Sequence, residues 1–321
     1  MKVARSIKMR SLTKPRVIVI GELNVDIVAT DLVEPPQMGA EILANDLTLR
    51  LGSASAIFAC GIAKLGHEVT LVSQVGKDVF GDFCLSELRS AGISTRNVFR
   101  RPELRTGATL ALSTRKERAL VTYRGAIATF GYKQLRMSML KGHRHLHMTS
   151  YFLQAALRPA FPRIFREARL AGLSTSFDPN SDPAHTWTSK IGQVLAHTDI
   201  LFLNKSEALQ LTRARGVRSA LKKLGSSVPC AVIKLGRKGA VAIRSGEIVA
   251  VDSYKVQTLD TTGAGDSFAA GFVAAYLRGN SLIECLRSGN ACGALSTRNA
   301  GGTAGQPDTV ELKNFLRRSP S

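Results

Sequence analysis

A chain of 321 residues with 44% apolar and 21% charged residues has the composition of a folded protein, large enough for a sizeable core in one large or two modest domains. An aromatic content of 6% argues against a nucleic-acid module built on stacking platforms, and no apolar run approaches the roughly 20 residues that span a membrane as a helix. Lys and Arg outnumber Asp and Glu by 44 to 24, a net charge of +20 that favours anionic partners: nucleotides, phosphorylated metabolites, nucleic acid or acidic membrane.

Residues 1–15 form a basic arm without apolar periodicity. The aliphatic run Val17–Ile20 that follows is too short for a secretion signal, so the cytoplasm is the expected compartment. That run reads as a buried strand ending at Gly21, and Ala54–Leu65, apolar nearly all round and stopped by Gly66, as a buried helix. A strand at Val69–Ser73 and a helix at Phe80–Ser90 come next. Thr106–Tyr123 reads as a hairpin with a charged tip at Arg115–Arg118. Strands are then predicted at His145–Thr149, Ser174–Asp178, Ile200–Asn204 and Ala231–Leu235. Helices fall between them near Pro159–Ala171, Trp187–Ala196 and Gly216–Leu224. A strand pair within Gly239–Tyr254 precedes long helices from Asp266 and Ser281. Such alternation implies an α/β fold: a doubly wound, mostly parallel sheet with helices on both faces. The segments 27–50 and 97–125 break the rhythm and read as a small β-sheet lid at its edge. The five cysteines form no CxxC pair and are expected to be reduced and buried.

The chemistry concentrates at Asp260-Thr261-Thr262-Gly263-Ala264-Gly265-Asp266, where a strand ends and an apolar helix begins. Backbone N–H groups at a helix start lack intrahelical acceptors, and the helix dipole adds positive potential, so this turn suits a phosphoryl group. A carboxylate at Asp266, in the mouth of that nest, can take the proton of an attacking hydroxyl while the N–H groups hold the transferring oxygens; an acidic helix cap is the plain alternative. The chain has no GxxxxGK[ST], and Phe268 stands where a dinucleotide fingerprint needs a third small residue.

At these residues the sequence resembles the ribokinase-like, or PfkB, carbohydrate-kinase family, whose DTxGAGD signature matches Asp260 to Asp266 without a gap. The resemblance spans nearly the whole chain after residue 16 and implies one kinase domain over 16–318. Gly21-Glu22-Leu23-Asn24-Val25-Asp26 looks like the family's first strand, and Gly52 to Gly66, with Val75-Gly76-Lys77-Asp78 and Gly81, is similar to its second signature. Asn204-Lys205-Ser206-Glu207 matches the NxxE motif, and Lys234-Leu235-Gly236-Arg237-Lys238-Gly239 the strand and loop beside the nucleotide. The resemblance implies transfer of the γ-phosphoryl of Mg-ATP to a hydroxyl of a small sugar or sugar acid. Asp266 would be general base, Gly263, Ala264 and Gly265 the anion hole, and Asn24, Asp26, Gly52, Ser53 and Ile57 the substrate side. Asn180, Asn204, Lys234, Gly236, Gly239 and Asn290 would serve the nucleotide. Asn204 and Glu207 would order Mg²⁺ through water. Asp260 and Thr262, with the loop near Arg298–Gly302, match positions where many members bind a monovalent cation, potassium especially.

Two departures stand out. The family's Gly-Gly pair is Gly52-Ser53 here, and the asparagine that commonly reaches a sugar hydroxyl is Ile57, which cannot make that hydrogen bond. Asp178-Pro179-Asn180 and Lys234-Leu235-Gly236 lean toward the fructokinase and ketodeoxygluconate-kinase members. A nucleoside kinase of the same family, with nucleoside as acceptor, is the alternative enzyme. A basic nucleic-acid-binding or dual-role protein is the alternative from another class. Lid strands in this family often pair between subunits, so the resemblance is compatible with a homodimer through the lid, which the sequence itself does not derive; no membrane partner is expected. His143, His145 and His147 alternate and so share one strand face, a pattern that can hold zinc but reads more simply as strand-end residues beside a cleft or as surface residues. Asn290 is either a nucleotide contact or a buried, satisfied helix residue.

Overall fold

The computed structural model describes residues 14–114, 118–187 and 190–319, which leaves most of the basic arm and the hairpin tip at 115–117 outside the description. In chain order the elements are β1 (Arg16–Ile20), β2 (Asn24–Thr30), β3 (Asp46–Leu51), α1 (Ala54–Lys64), β4 (Glu68–Gly76), α2 (Val79–Ser90), β5 (Val98–Arg101), β6 (Gly107–Ser113) and β7 (Arg118–Tyr123). Next come α3 (Ala126–Thr129), β8 (His145–Thr149), α4 (Phe161–Leu170), β9 (Ser174–Asp178), α5 (Ile191–Leu195), β10 (Ile200–Asn204), α6 (Lys205–Thr212) and α7 (Val217–Gly225). The chain ends with β11 (Cys230–Lys234), β12 (Ala240–Arg244), β13 (Glu247–Val251), α8 (Ala264–Leu277), α9 (Leu282–Ser296) and α10 (Thr309–Arg318).

Nine strands form one sheet in the order β13-β12-β11-β10-β9-β8-β1-β4-β5, parallel except for β12 and β13. Its central strands are apolar on both faces because both are covered. Val17 and Val19 face a core containing Phe58, Phe202, Phe268 and Phe272, while Ile18 and Ile20 face one containing Phe161, Phe165 and Phe177. Helix α8 is apolar nearly all round for the same reason: it is enclosed, packing on α1 and α9. A second, four-stranded sheet in the order β3-β2-β6-β7 forms the lid. Of the segment 97–125, Val98–Arg101 joins the edge of the large sheet and the strands from Gly107 to Tyr123 join the lid.

Three expectations differ in detail. The first strand stops at Ile20; Gly21 completes its ladder with an N–H bond to the Val72 carbonyl (3.1 Å), and Asn24 and Asp26 lie on the first strand of the lid instead. The helix predicted from Trp187 is confined to Ile191–Leu195, since the Asp182 carboxylate accepts from the N–H groups of Ala184 (3.0 Å), Thr186 (2.9 Å) and Trp187 (2.8 Å) and holds a loop there. The three histidines are not at the surface, and among the described residues they belong to no group able to hold a metal: all are buried, and His145 lies between the Ser174 and Ser176 hydroxyls (2.8 and 2.7 Å). His147 contacts the Ser176 hydroxyl at 2.6 Å and stacks on Phe58 with ring centroids 3.6 Å apart. Burial lowers the imidazole of His145 to about 3, so these rings are neutral hydrogen-bonding members of the core. The cysteines are free and buried, as expected.

Candidate active site

The parallel strands end on a common edge, and their last residues are polar. In register, Thr149 on β8 neighbours Asp178 on β9, and Asn204 on β10 neighbours Lys234 on β11. The Lys234 ammonium pairs with the Asp178 carboxylate at 2.5 Å, both side chains nearly enclosed. Beside them Glu22, at the turn after β1, accepts from the Ser55 N–H (3.1 Å), the Ser55 hydroxyl (2.7 Å) and the Ser150 hydroxyl (2.8 Å). Asn204 caps α6 reciprocally with Glu207: Asn204 Oδ1 accepts from the Glu207 N–H (2.9 Å), and Glu207 Oε2 from the Asn204 N–H (2.7 Å). Glu207 is buried, and the Ser181 hydroxyl donates to its other oxygen at 3.0 Å. Burial, with Asp178 nearby, holds its carboxyl above the usual range.

The predicted turn leads directly into α8, with the Ala264 N–H donating to the Thr261 carbonyl at 3.3 Å. Gly263 is the cap residue at φ 68°, a left-handed conformation that glycine adopts without strain. Space is a second constraint. A Cβ on Gly263 would stand 2.8 Å from the Gly302 Cα and 2.9 Å from Ile57 Cγ2, and one on Gly265 would stand 3.1 Å from the Lys234 ammonium. The nest therefore lies between the 298–302 loop on one side and the strand-end lysine on the other.

Asp266, in the first turn of α8, has its carboxyl pushed up to about 8. Burial is the main cause and Asp178 the next; Glu22 and Glu207 add to it, and Lys234 opposes it. For Lys234 burial works toward the neutral amine, but Asp178, Glu207 and Asp266 outweigh it and hold the ammonium above its ordinary range. One cation thus holds together several acids that would otherwise repel.

A cleft of about 750 Å³ opens from the nest. Ala264, Gly265 and Lys234 line its inner part, and Gly236, Gly239 and Asn290 further parts of its wall. Asn290 is buried and donates to the carbonyls of Val251 (3.0 Å) and Asp252 (3.1 Å), so it holds the chain after β13 against α9 while lining the cleft. Asn180 and Asn204 stand two strands and one strand away from Lys234, at the ends of β9 and β10; Asn180 Oδ1 accepts from the Ser150 N–H at 2.9 Å. On the lid side, Asn24 donates to Asp26 Oδ1 at 3.2 Å, and Gly52 lies so close that a Cβ there would stand 2.3 Å from the Asp26 carboxylate. Ser53 caps α1, accepting from the Ala56 N–H (3.1 Å) and donating to the Glu22 carbonyl (2.6 Å), at an unfavourable φ of 74°. Ile57 is buried against Gly263 and Gly302, as a packing support under the nest. Asp260 accepts from the Thr262 N–H and hydroxyl (2.9 and 2.7 Å) and from the Gly301 N–H (2.8 Å), joining the nest's approach to the 298–302 loop.

Sequence reasoning missed Glu22, Thr149 and Ser150, and treated Asp178 only as part of a family lean. A polar residue closing an apolar strand was the available signal for Thr149 and Asp178.

The model of the pfkB family carbohydrate kinases matches residues 14–309. The chain belongs to the PfkB family of carbohydrate kinases. It is thus an ATP-binding sugar kinase, a phosphotransferase with a hydroxyl acceptor. Among PfkB relatives, a 2-dehydro-3-deoxygluconokinase of Bacillus subtilis is 31% identical over 83% of this chain and 86% of that protein. A nucleoside kinase of Methanothermobacter thermautotrophicus is 30% identical over 82% and 84%. A putative ribokinase II from E. coli, solved in complex with ATP and Mg²⁺, superposes with a TM-score of 0.84 at 26% identity, covering 96% of this chain and all of that one. The large sheet with its separate small sheet is the ribokinase-like fold. Among the described residues no helix is long and apolar enough to cross a membrane.

Proposed function

We propose that this PfkB kinase transfers the γ-phosphoryl of Mg-ATP to a hydroxyl of a small sugar or sugar acid, with Asp266 as general base. The carrying observation is that the glycine nest opens into the 750 Å³ cleft with Asp266 in its first helical turn. The nucleotide occupies the cleft, its phosphate tail toward Ala264, Gly265 and Lys234. The acceptor lies on the lid side, where Asn24 and Asp26 meet Gly52. Asp266 takes the acceptor's proton, and the N–H groups of the nest hold the oxygens in transfer.

Among the described residues no three acidic, His or Cys side chains converge on a metal position. Mg²⁺ keeps much of its water and rests largely on phosphate, so it needs few protein ligands. Asn204 and Glu207 would hold that water shell, each Glu207 oxygen keeping a lone pair beyond its bonds to Asn204 and Ser181. When bound, the ion neutralises charge developing on the phosphoryl oxygens. A monovalent cation would rest on Asp260, Thr262 and the 298–302 loop and stiffen the nest. ADP release measured over a panel of sugars, sugar acids and nucleosides tests the reading; turnover confined to nucleosides would select the nucleoside-kinase alternative.

Gly263→Ala is expected to lower the melting temperature and reduce turnover at least tenfold, because the alanine must hold φ near 68° with its Cβ 2.8 Å from the Gly302 backbone. Thermal unfolding and steady-state kinetics check both. The outer face of the lid carries Leu49, Leu110, Val121 and Tyr123, 37–57% exposed and neighbours across the strands. A second copy of the chain would cover it. Sedimentation velocity is expected to give a dimer, and the double variant Leu110→Asp/Val121→Asp a monomer.

A further inference from the structure

The opposite face of the lid, the one carrying Asn24 and Asp26, holds a row of four side chains in direct register: Thr122 on β7, Thr109 on β6, Asp26 on β2 and Arg50 on β3. The first three belong to one hydrogen-bonded group. Thr109 and Thr122 hydroxyls lie 3.2 Å apart, and the Asn24 amide reaches Thr109 at 3.4 Å and Asp26 at 3.2 Å. Arg50 stands apart from it. Although paired across the strands with Asp26, its side chain runs the other way, along the 298–302 loop. A Cβ on Gly301 would stand 3.2 Å from Arg50 Cγ and Cδ and 3.6 Å from its Nε. That Nε is buried with no hydrogen-bond partner, and Arg50 makes no ion pair among the described residues.

Its position is close to the chemistry. Gly301 donates its N–H to Asp260 at 2.8 Å, and Gly302 packs on Gly263 of the nest. Asp26 is the cross-strand register neighbour of Arg50, and Asp260 is bonded to the loop that Arg50 lies along. A guanidinium that is partly desolvated and unpaired costs free energy in the free protein. A neutral acceptor gives no return for that cost, whereas an anionic one would pair with the guanidinium.

We propose that Arg50 is a specificity residue that selects an acceptor bearing a negatively charged group, a carboxylate or a phosphate monoester, while Asp26, Asn24 and the two threonines read its hydroxyls. The guanidinium fork matches either anion with paired N–H donors. This inference rests on the lid side being the acceptor side, and it is tested by binding, so that loss of turnover does not decide it.

The probes are matched sets sharing one carbon chain: D-gluconate, D-glucitol and D-glucitol 6-phosphate, and the five-carbon D-ribonate, D-ribitol and D-ribitol 5-phosphate. Calorimetric titration of the full chain with its non-hydrolysable nucleotide and Mg²⁺ is expected to show one anionic member of a set binding at least tenfold more tightly than its neutral counterpart. Which anion prevails separates carboxylate from phosphate. In Arg50→Gln that ratio should fall about 10- to 100-fold, toward one, the loss expected of a charge-assisted hydrogen bond. Arg50→Lys, which keeps the charge without the fork, should retain part of it. Equal affinity for charged and neutral members in the wild type would overturn the proposal. So would a loss in Arg50→Gln that fell equally on all probes, or on the nucleotide in place of the acceptor.

Discussion

Asp266→Asn is expected to lower kcat by about 10²–10⁴-fold while leaving the KM for ATP within a few-fold, because the change removes a proton acceptor and keeps the shape of the helix start. Near-wild-type turnover would take the general-base role away from this residue. The wild-type pH profile carries the same information. With the carboxyl pushed up to about 8, the free enzyme holds Asp266 largely protonated at pH 6, and kcat/KM should climb with pH until that carboxyl has ionised near 8. Stability should run the opposite way. An Asp titrates near 3.9 in the unfolded chain, so the folded form retains the proton over a range where the unfolded form has lost it. The stability this group lends is therefore complete below about pH 4 and is lost as pH rises to about 8. Asparagine never ionises, so the variant's melting temperature should gain on the wild type across that window and hold a constant lead above it. A flat difference would mean that Asp266 titrates normally.

The second large effect is expected at Lys234. Lys234→Met leaves Asp178, Glu207 and Asp266 without their shared cation, and the Asp178 side chain is only 1% exposed. Breaking a buried pair from one side costs about 3–5 kcal/mol, a large part of the total stability of an ordinary domain. Denaturant unfolding should show it as a lower midpoint. The acid limb of kcat/KM should also move to higher pH, since the one group that draws the Asp266 carboxyl downward has gone. Asp178→Asn in the same chain removes the most tightly paired of the stranded charges and should restore part of the loss. If the double variant is no more stable than Lys234→Met alone, the pair is not the unit assumed here.

How much of this could be read from the chain alone depends on whether the signal was local. The βα alternation, the nest from Asp260 to Asp266 and the hairpin strands of the lid rest on contiguous residues, and they were legible. The acid cluster was not. Glu22 lies 127 residues before Thr149 in sequence, with Asp178 further on still, and they meet because β1, β8 and β9 are neighbours in the sheet, an order that no local pattern encodes. The histidines show the reverse case: alternation gave their shared face correctly, but the serine partners of His145 and His147 sit on the next strand, so burial could not be told from exposure. Trp187 was misread because Asp182, five residues upstream, accepts from the N–H groups of Ala184, Thr186 and Trp187 and holds a local loop that the apolar pattern does not reveal. Arg50 carried no signal at all, since its meaning comes from the loop it lies on.

Ser53 joins β3, an edge strand of the lid, to α1 in a conformation that costs a non-glycine residue about 1–3 kcal/mol. Its hydroxyl compensates by tying the helix start to the Glu22 carbonyl. A glycine would shed the strain and lose the tie, two changes of similar size and opposite sign. The net effect of residue 53 is therefore expected on the orientation of the lid more than on overall stability: two hydrogen bonds fix the backbone at this joint, where a pair of glycines would leave it free.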